Sequence, residues 1–177
     1  MLGTMSKRTH IMTLSALYVA LTVISLYIAS VWPTGLFGLV AFASLFCAAT
    51  VIDAGIAFGL YVYIISSVIG ILLLPNKAAP LLYIFFFGYY PVVKSLIERI
   101  HAIIMQWAAK LLVFNSSFTI IWSLFRSIIF NIDDNPLYLI LLYLGGNFVF
   151  VVYDYGFTKI IWLYINRISK HIRRFIK

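Results

Sequence analysis

Apolar residues run through this chain in long blocks, and the polar residues collect in short breaks between them. A helix that crosses a bilayer needs about 20 apolar residues, and the breaks divide the chain into six such blocks. The first runs from about Ile11 to Val31 and ends at Trp32-Pro33-Thr34-Gly35, an aromatic residue plus turn formers that marks a membrane interface. The second, Leu36 to about Thr50, is short and rich in Ala and Gly, and only Asp53 marks its join to the third. The third, Ala54 to Leu74, begins Gly55-x-x-x-Gly59, a close-packing pattern, and stops at Pro75-Asn76-Lys77. The fourth, about Ala79 to Val93, holds Pro91. Charges at Lys94, Glu98, His101 and Lys110, set among Leu, Ile, Met and Trp, then fit an amphipathic helix on the membrane surface. The fifth block, about Leu111 to Phe130, closes at Asn131-Ile132-Asp133-Asp134-Asn135-Pro136. The sixth, Leu137 to about Ile165, exceeds what a bilayer needs, so it tilts or projects into the cytoplasm.

Composition turns this pattern into a fold class. The chain is 64% hydrophobic and 10% charged, whereas a soluble domain is about half apolar and about a quarter charged. There is too little polar surface to cover a water-soluble body. The expectation is a single integral membrane domain over residues 1–177, an all-α membrane protein built as a bundle of about six transmembrane helices, with a surface helix between the fourth and fifth. The basic start and first apolar block are too long for a secretory leader and are read as retained. Cys47, the one cysteine, excludes an internal disulfide and a paired-cysteine metal site.

The net charge of +8 does not read as a nucleic-acid patch, because of where the charges lie. Lys7 and Arg8 precede the first block, and Arg167, Lys170, Arg173, Arg174 and Lys177 follow the sixth. By the positive-inside rule both termini are cytoplasmic, as are Lys94 and Arg99, and six crossings satisfy this where five would not. The outer loops keep Lys77 and the acidic pair Asp133 and Asp134. A basic tail of this kind also rests on anionic lipid.

No metal-protease, phosphate-loop or nucleophile-elbow motif is present, so no enzyme activity, cofactor or metal is expected, and any energy for transport comes from elsewhere. His10, His101 and His171 fall at cytoplasmic ends, where surface or headgroup roles fit them. An ionisable group in hydrocarbon is costly unless it faces a cavity or a partner. Arg126 either meets an anionic or carbonyl group in an outward pocket or, the favoured reading, snorkels outward or pairs with Asp133 or Asp134. Asn147, after Gly145-Gly146, bonds either a ligand or a neighbouring helix, with nothing to separate the two. Asp154 and Lys159 fit structural or interface roles, and Asp53 an interfacial one. Rings crowd the fourth block from Tyr83 to Tyr90; an aromatic lipid face accounts for most, and Tyr83 and Trp32 are the best ligand candidates.

Small residues on the first block add a second signal. Thr13, Ala16 and Ala20 line one face of a helix, and Thr22, Ser25 and Ala29 make a second small stripe. Such a face lets another helix approach closely. Together with the length, six spans and inside termini, the pattern Ala16-Leu17-Tyr18-Val19-Ala20 resembles the substrate-binding (S) component of energy-coupling factor (ECF) transporters. The resemblance implies that Ala16 and Ala20 dock on a transmembrane coupling subunit joined to ATPase subunits. It implies a vitamin-like small-molecule ligand bound from outside, near Trp32, Asn76, Lys77, Tyr83, Arg126 and Asn147, in a protein of the cell membrane. The rival expectation is a non-transport scaffold similar to the rod-shape protein MreD, in which the stripe serves assembly and the polar residues are structural. A membrane-embedded enzyme and a passive channel rank below both.

Overall fold

The computed structural model describes residues 2–129 and 136–169, and the side chains of 2–7 and 124–129 lie outside that description, as do those of Pro33, Pro136 and Ile168. The chain is an all-α membrane bundle with no strand among the described residues. Its helices are α1 (Leu2–Val31), α2 (Leu36–Ala54), α3 (Ile56–Leu73), α4 (Ala78–Leu82), α5 (Tyr90–Ile97), α6 (Ile103–Ile129) and α7 (Pro136–Tyr164). Six stretches are long and apolar enough to cross a membrane: Arg8–Val31, Leu36–Ala54, Ile56–Leu73, Ala78–Ile97, Ile103–Ser123 and Leu137–Arg167. The six expected blocks are thus recovered, with α2 four residues longer than the text of the sequence marks.

The described residues fall into two compact units. The first takes the chain up to Ser95 and again from Ile160 on, and the second runs from Leu96 to Lys159. In the first unit α1, α2 and α3 pack against one another, and α4 packs on all three. Leu26 and Ala29 of α1, Val40 and Ala43 of α2, Leu74, Ala79 and Tyr83 form one buried core. A second core joins Tyr18, Ala49 and Val62, with Phe46 and Tyr164 against it.

Backbone chemistry explains the breaks. Gly55 alone separates α2 from α3, at φ 96° and ψ 172°, in the region where a side chain is strained. Four residues on, a Cβ at Gly59 would lie 2.3 Å from Val51 Cγ2, so the missing side chain is what lets α3 fold back against α2. Leu74 is extended (φ −77°, ψ 136°), as a residue before proline prefers, and α3 ends there.

The fourth span is composite. Between α4 and α5 the chain widens into a π-helical turn, Tyr83–Phe87, closed by the Gly88 N–H donating to the Tyr83 carbonyl at 2.7 Å. Pro91, in the first turn of α5, has no N–H to donate, and Val92 and Val93 both donate to the Tyr89 carbonyl. The stretch from Lys94 to Lys110 is not a surface helix of its own. It is shared among the end of α5, the turns at 98–102 and the start of α6. Lys94 is buried, as is Lys110, because each basic residue sits on a span rather than on a separate amphipathic element.

The second unit is built on α6 and the greater part of α7, joined side by side by paired groups. Phe114 stacks on Phe150 with ring centroids 4.6 Å apart, and Gly146 lies against Phe114 and Phe118.

Candidate functional site

The two small stripes of α1 face different surroundings. A helix turns about 100° per residue, so the stripe at Thr13, Ala16 and Ala20 and the stripe at Thr22, Ser25 and Ala29 cannot share one partner. The second is buried in the first unit, whereas Thr13, Ala16 and Ala20 are exposed, beside Leu17 and Ile24. Thr22 and Ser25 donate to the carbonyls of Tyr18 and Leu21 at 2.7 and 2.9 Å, which satisfies their hydroxyls within the helix.

Of the expected ligand residues, Trp32, Asn76, Lys77 and Tyr83 belong to the first unit, and Arg126 and Asn147 to the second. Trp32 is 67% exposed just past α1. Close by, Ser30 Oγ donates to the Asn76 carbonyl at 3.1 Å and accepts from the Asn76 N–H at 2.9 Å, tying the end of α1 to the loop after α3. The Asn76 side-chain oxygen accepts from the Ala78 N–H at 2.9 Å and starts α4. Lys77 Nζ donates to the carbonyls of Ile71 and Leu74, at 2.6 and 2.7 Å, which closes the end of α3 with a cation where the helix dipole is negative. Both residues therefore spend polar atoms on the fold.

Tyr83 is fully buried deeper in the same unit. Its ring lies near that of Tyr63, and its hydroxyl and that of Ser66 have no hydrogen-bond partner. Thr22, Cys47 and Ser66 are among the groups facing it. The Cys47 thiol donates to the Gly59 carbonyl at 3.5 Å, and the Tyr63 hydroxyl to the Ile84 carbonyl at 3.0 Å.

A second polar centre of the first unit forms around Asp53, read from the sequence as interfacial but without its partners. Asp53, one residue before the end of α2, accepts hydrogen bonds from the Tyr164 hydroxyl on one oxygen and from Ser169 Oγ, at 2.6 Å, on the other. Tyr164 also meets the Tyr18 hydroxyl at 2.7 Å. With the Tyr164 proton directed to Asp53, Tyr18 is the donor in that pair. The carboxylate thus gathers α1, α2 and the last turns of the described chain. Asp53 is the only acid before Glu98, which is the one signal the sequence offered; its partners lie more than a hundred residues away.

In the second unit Lys110 Nζ bridges Asp154, at 2.9 Å, and Glu98, at 3.1 Å, and lies 5.3 Å from the ring centroid of Trp107. One turn further along, Asn115 and Asn147 exchange amide hydrogen bonds at 3.0 Å in both directions, and Asn147 donates also to the Tyr143 carbonyl. Thr119 meets the Tyr143 hydroxyl at 2.7 Å. The Asn147 amide is therefore engaged with the neighbouring helix. The backbone of Arg126 lies in α6; its side chain, Asp133 and Asp134 lie outside the described residues.

Among the described residues no group of three His, Cys, Asp or Glu is placed to hold a metal ion. The chain matches no family model, no curated protein and no solved structure.

Proposed function

We propose that this chain is the substrate-binding membrane subunit of an ATP-driven uptake system for a vitamin-like micronutrient. In this reading it lies in the cell membrane with both termini cytoplasmic, and the face carrying Ala16 and Ala20 docks on a transmembrane coupling subunit. ATP hydrolysis belongs to the partners. The observation that carries the reading is the sorting of the small residues on α1. A helix that needed Thr13, Ala16 and Ala20 for its own bundle would bury them, as it buries Thr22, Ser25 and Ala29. Left outward, they form a smooth strip on which a second helix can approach closely. Trp32, exposed at the other end of the same helix, is the candidate for first contact with ligand.

The test is Ala16→Trp. Uptake by cells is expected to fall to background while the purified variant retains its small molecule, and uptake at the wild-type rate refutes the docking face. One observation favours the scaffold reading instead: Asn76, Lys77 and Asn147 all direct polar atoms to partners within the fold. Copurification with cell-wall synthesis proteins, without an ATPase and without a bound small molecule, would decide for it.

A further inference from the structure

Hydroxyls on membrane helices usually bond back to their own backbone, which leaves nothing unsatisfied in a medium without water. The first unit follows this rule closely. Thr22, Ser25, Thr50 and Ser67 each donate to the carbonyl four residues earlier, at 2.6 to 2.9 Å. Ser66 breaks it. Ser66 Oγ, fully buried, has no partner. The Tyr83 hydroxyl, on a fully buried ring, makes no hydrogen bond of good geometry either, although the Ser66 and Thr22 hydroxyls lie close enough to interact with it.

The position of Tyr83 is set by its surroundings. A Cβ at Gly88 would lie 2.6 Å from the Tyr83 ring and 2.7 Å from that of Tyr63, so Gly88 is what admits both rings. Tyr83 belongs to the same buried apolar core as Leu26, Ala29, Val40, Ala43, Leu74 and Ala79, and its one polar atom lies at the tip of the side chain.

We propose that the hydroxyls of Tyr83, Ser66 and Thr22 form a binding site for one neutral hydrogen-bonding oxygen from outside the chain, either a solvent water or the hydroxyl of an uncharged ligand. The donor count supports this chemistry. Tyr83 and Ser66 each have a proton to give, and Thr22 has already given its proton to the Tyr18 carbonyl, so it offers lone pairs alone. An incoming water or alcohol oxygen accepts two hydrogen bonds and returns one, which matches the three groups. The neighbours Thr22, Cys47, Tyr63 and Ser66 carry no charge to hold an ion. In its ligand form the site rests on the uptake reading, of which it names the substrate class; in its water form it stands without it.

The experiment is an experimental structure of the full chain at a resolution that shows ordered water, for the wild type and for Ser66→Ala and Tyr83→Phe. The small molecules released by denaturing the same samples are identified by mass spectrometry. The expected result is a peak about 2.6–3.2 Å from both the Tyr83 and Ser66 oxygens, weakened in Ser66→Ala. An isolated peak with no released compound identifies water. Extended density with an uncharged hydroxyl compound, whose retained amount falls about fivefold in Tyr83→Phe, identifies the ligand. A direct bond between Tyr83 and Ser66, or from Ser66 to the Val62 carbonyl, with no third oxygen, overturns the site. Because the wild type alone decides this, a variant that fails to fold leaves the result intact. Loss of the site does not touch the Ala16→Trp outcome, and failure of that outcome does not remove the peak.

Discussion

Asp154 and Glu98 stand on the same ammonium in different surroundings. The Asp154 side chain is 3% exposed and that of Glu98 is 41% exposed, with Lys110 between them. An exposed ion pair contributes about 0–1 kcal/mol because water and salt screen it. Removing one member of a buried pair costs about 3–5 kcal/mol, because the other charge stays in a poorly solvating medium. Asp154→Ala is therefore expected to lower the thermal midpoint of the detergent-solubilised protein far more than Glu98→Ala. Equal midpoints for the two variants would mean that burial does not set the strength of this pair. The sequence marked Asp154 for a structural or interface role, from its depth in an apolar block. It could not supply Lys110, since no helical spacing relates residues 44 positions apart, and it placed that lysine on a surface helix. The same limit hid the Tyr18–Tyr164–Asp53–Ser169 cluster, whose members are ordinary when each is read in its own block.

At the scale of elements, the glycine pattern between the second and third spans was legible, but its partner was not. Gly55-x-x-x-Gly59 announces a close approach, and the helix it approaches is α2, the immediately preceding one, through Val51. The two glycines have different tasks: Gly55 takes the positive φ of the join, and Gly59 makes room. Overpacking of this kind costs about 1–3 kcal/mol. Gly59→Ala is thus expected to destabilise the protein by that amount, and Val51→Ala added to it to recover most of the loss, since it removes the methyl in the way. A double variant no more stable than Gly59→Ala alone, in the same unfolding assay, would exclude Val51 as the constraint. The composite fourth span was less legible. Pro91 marked irregularity, but a π turn is set by which carbonyl each N–H reaches, and side-chain pattern does not report that when every face is apolar.

For the whole molecule, the six spans were readable because hydropathy over about 20 residues is a property of composition rather than of partners. The sorting of one α1 stripe inward and the other outward was not, because both are equally small and only packing separates them. Orientation is expected from a different property, the placement of basic residues between the spans. If all six stretches cross, the two ends fall on one side together with the turns between α5 and α6, and that side would collect Lys7, Arg8, Lys94, Arg99 and Arg167. Lys77, whose ammonium is bound to the end of α3, would then fall on the opposite side. Basic residues are retained on the cytoplasmic side during insertion, so both ends are expected in the cytoplasm. A fluorescent protein fused after Lys177 should then light up and alkaline phosphatase fused there should stay inactive, while phosphatase fused after Lys77 should be active. The reverse pattern would put Ala16, nearer the N-terminal end of α1, on the outer side, beyond the reach of an ATPase-linked partner, and would remove the uptake reading along with the orientation.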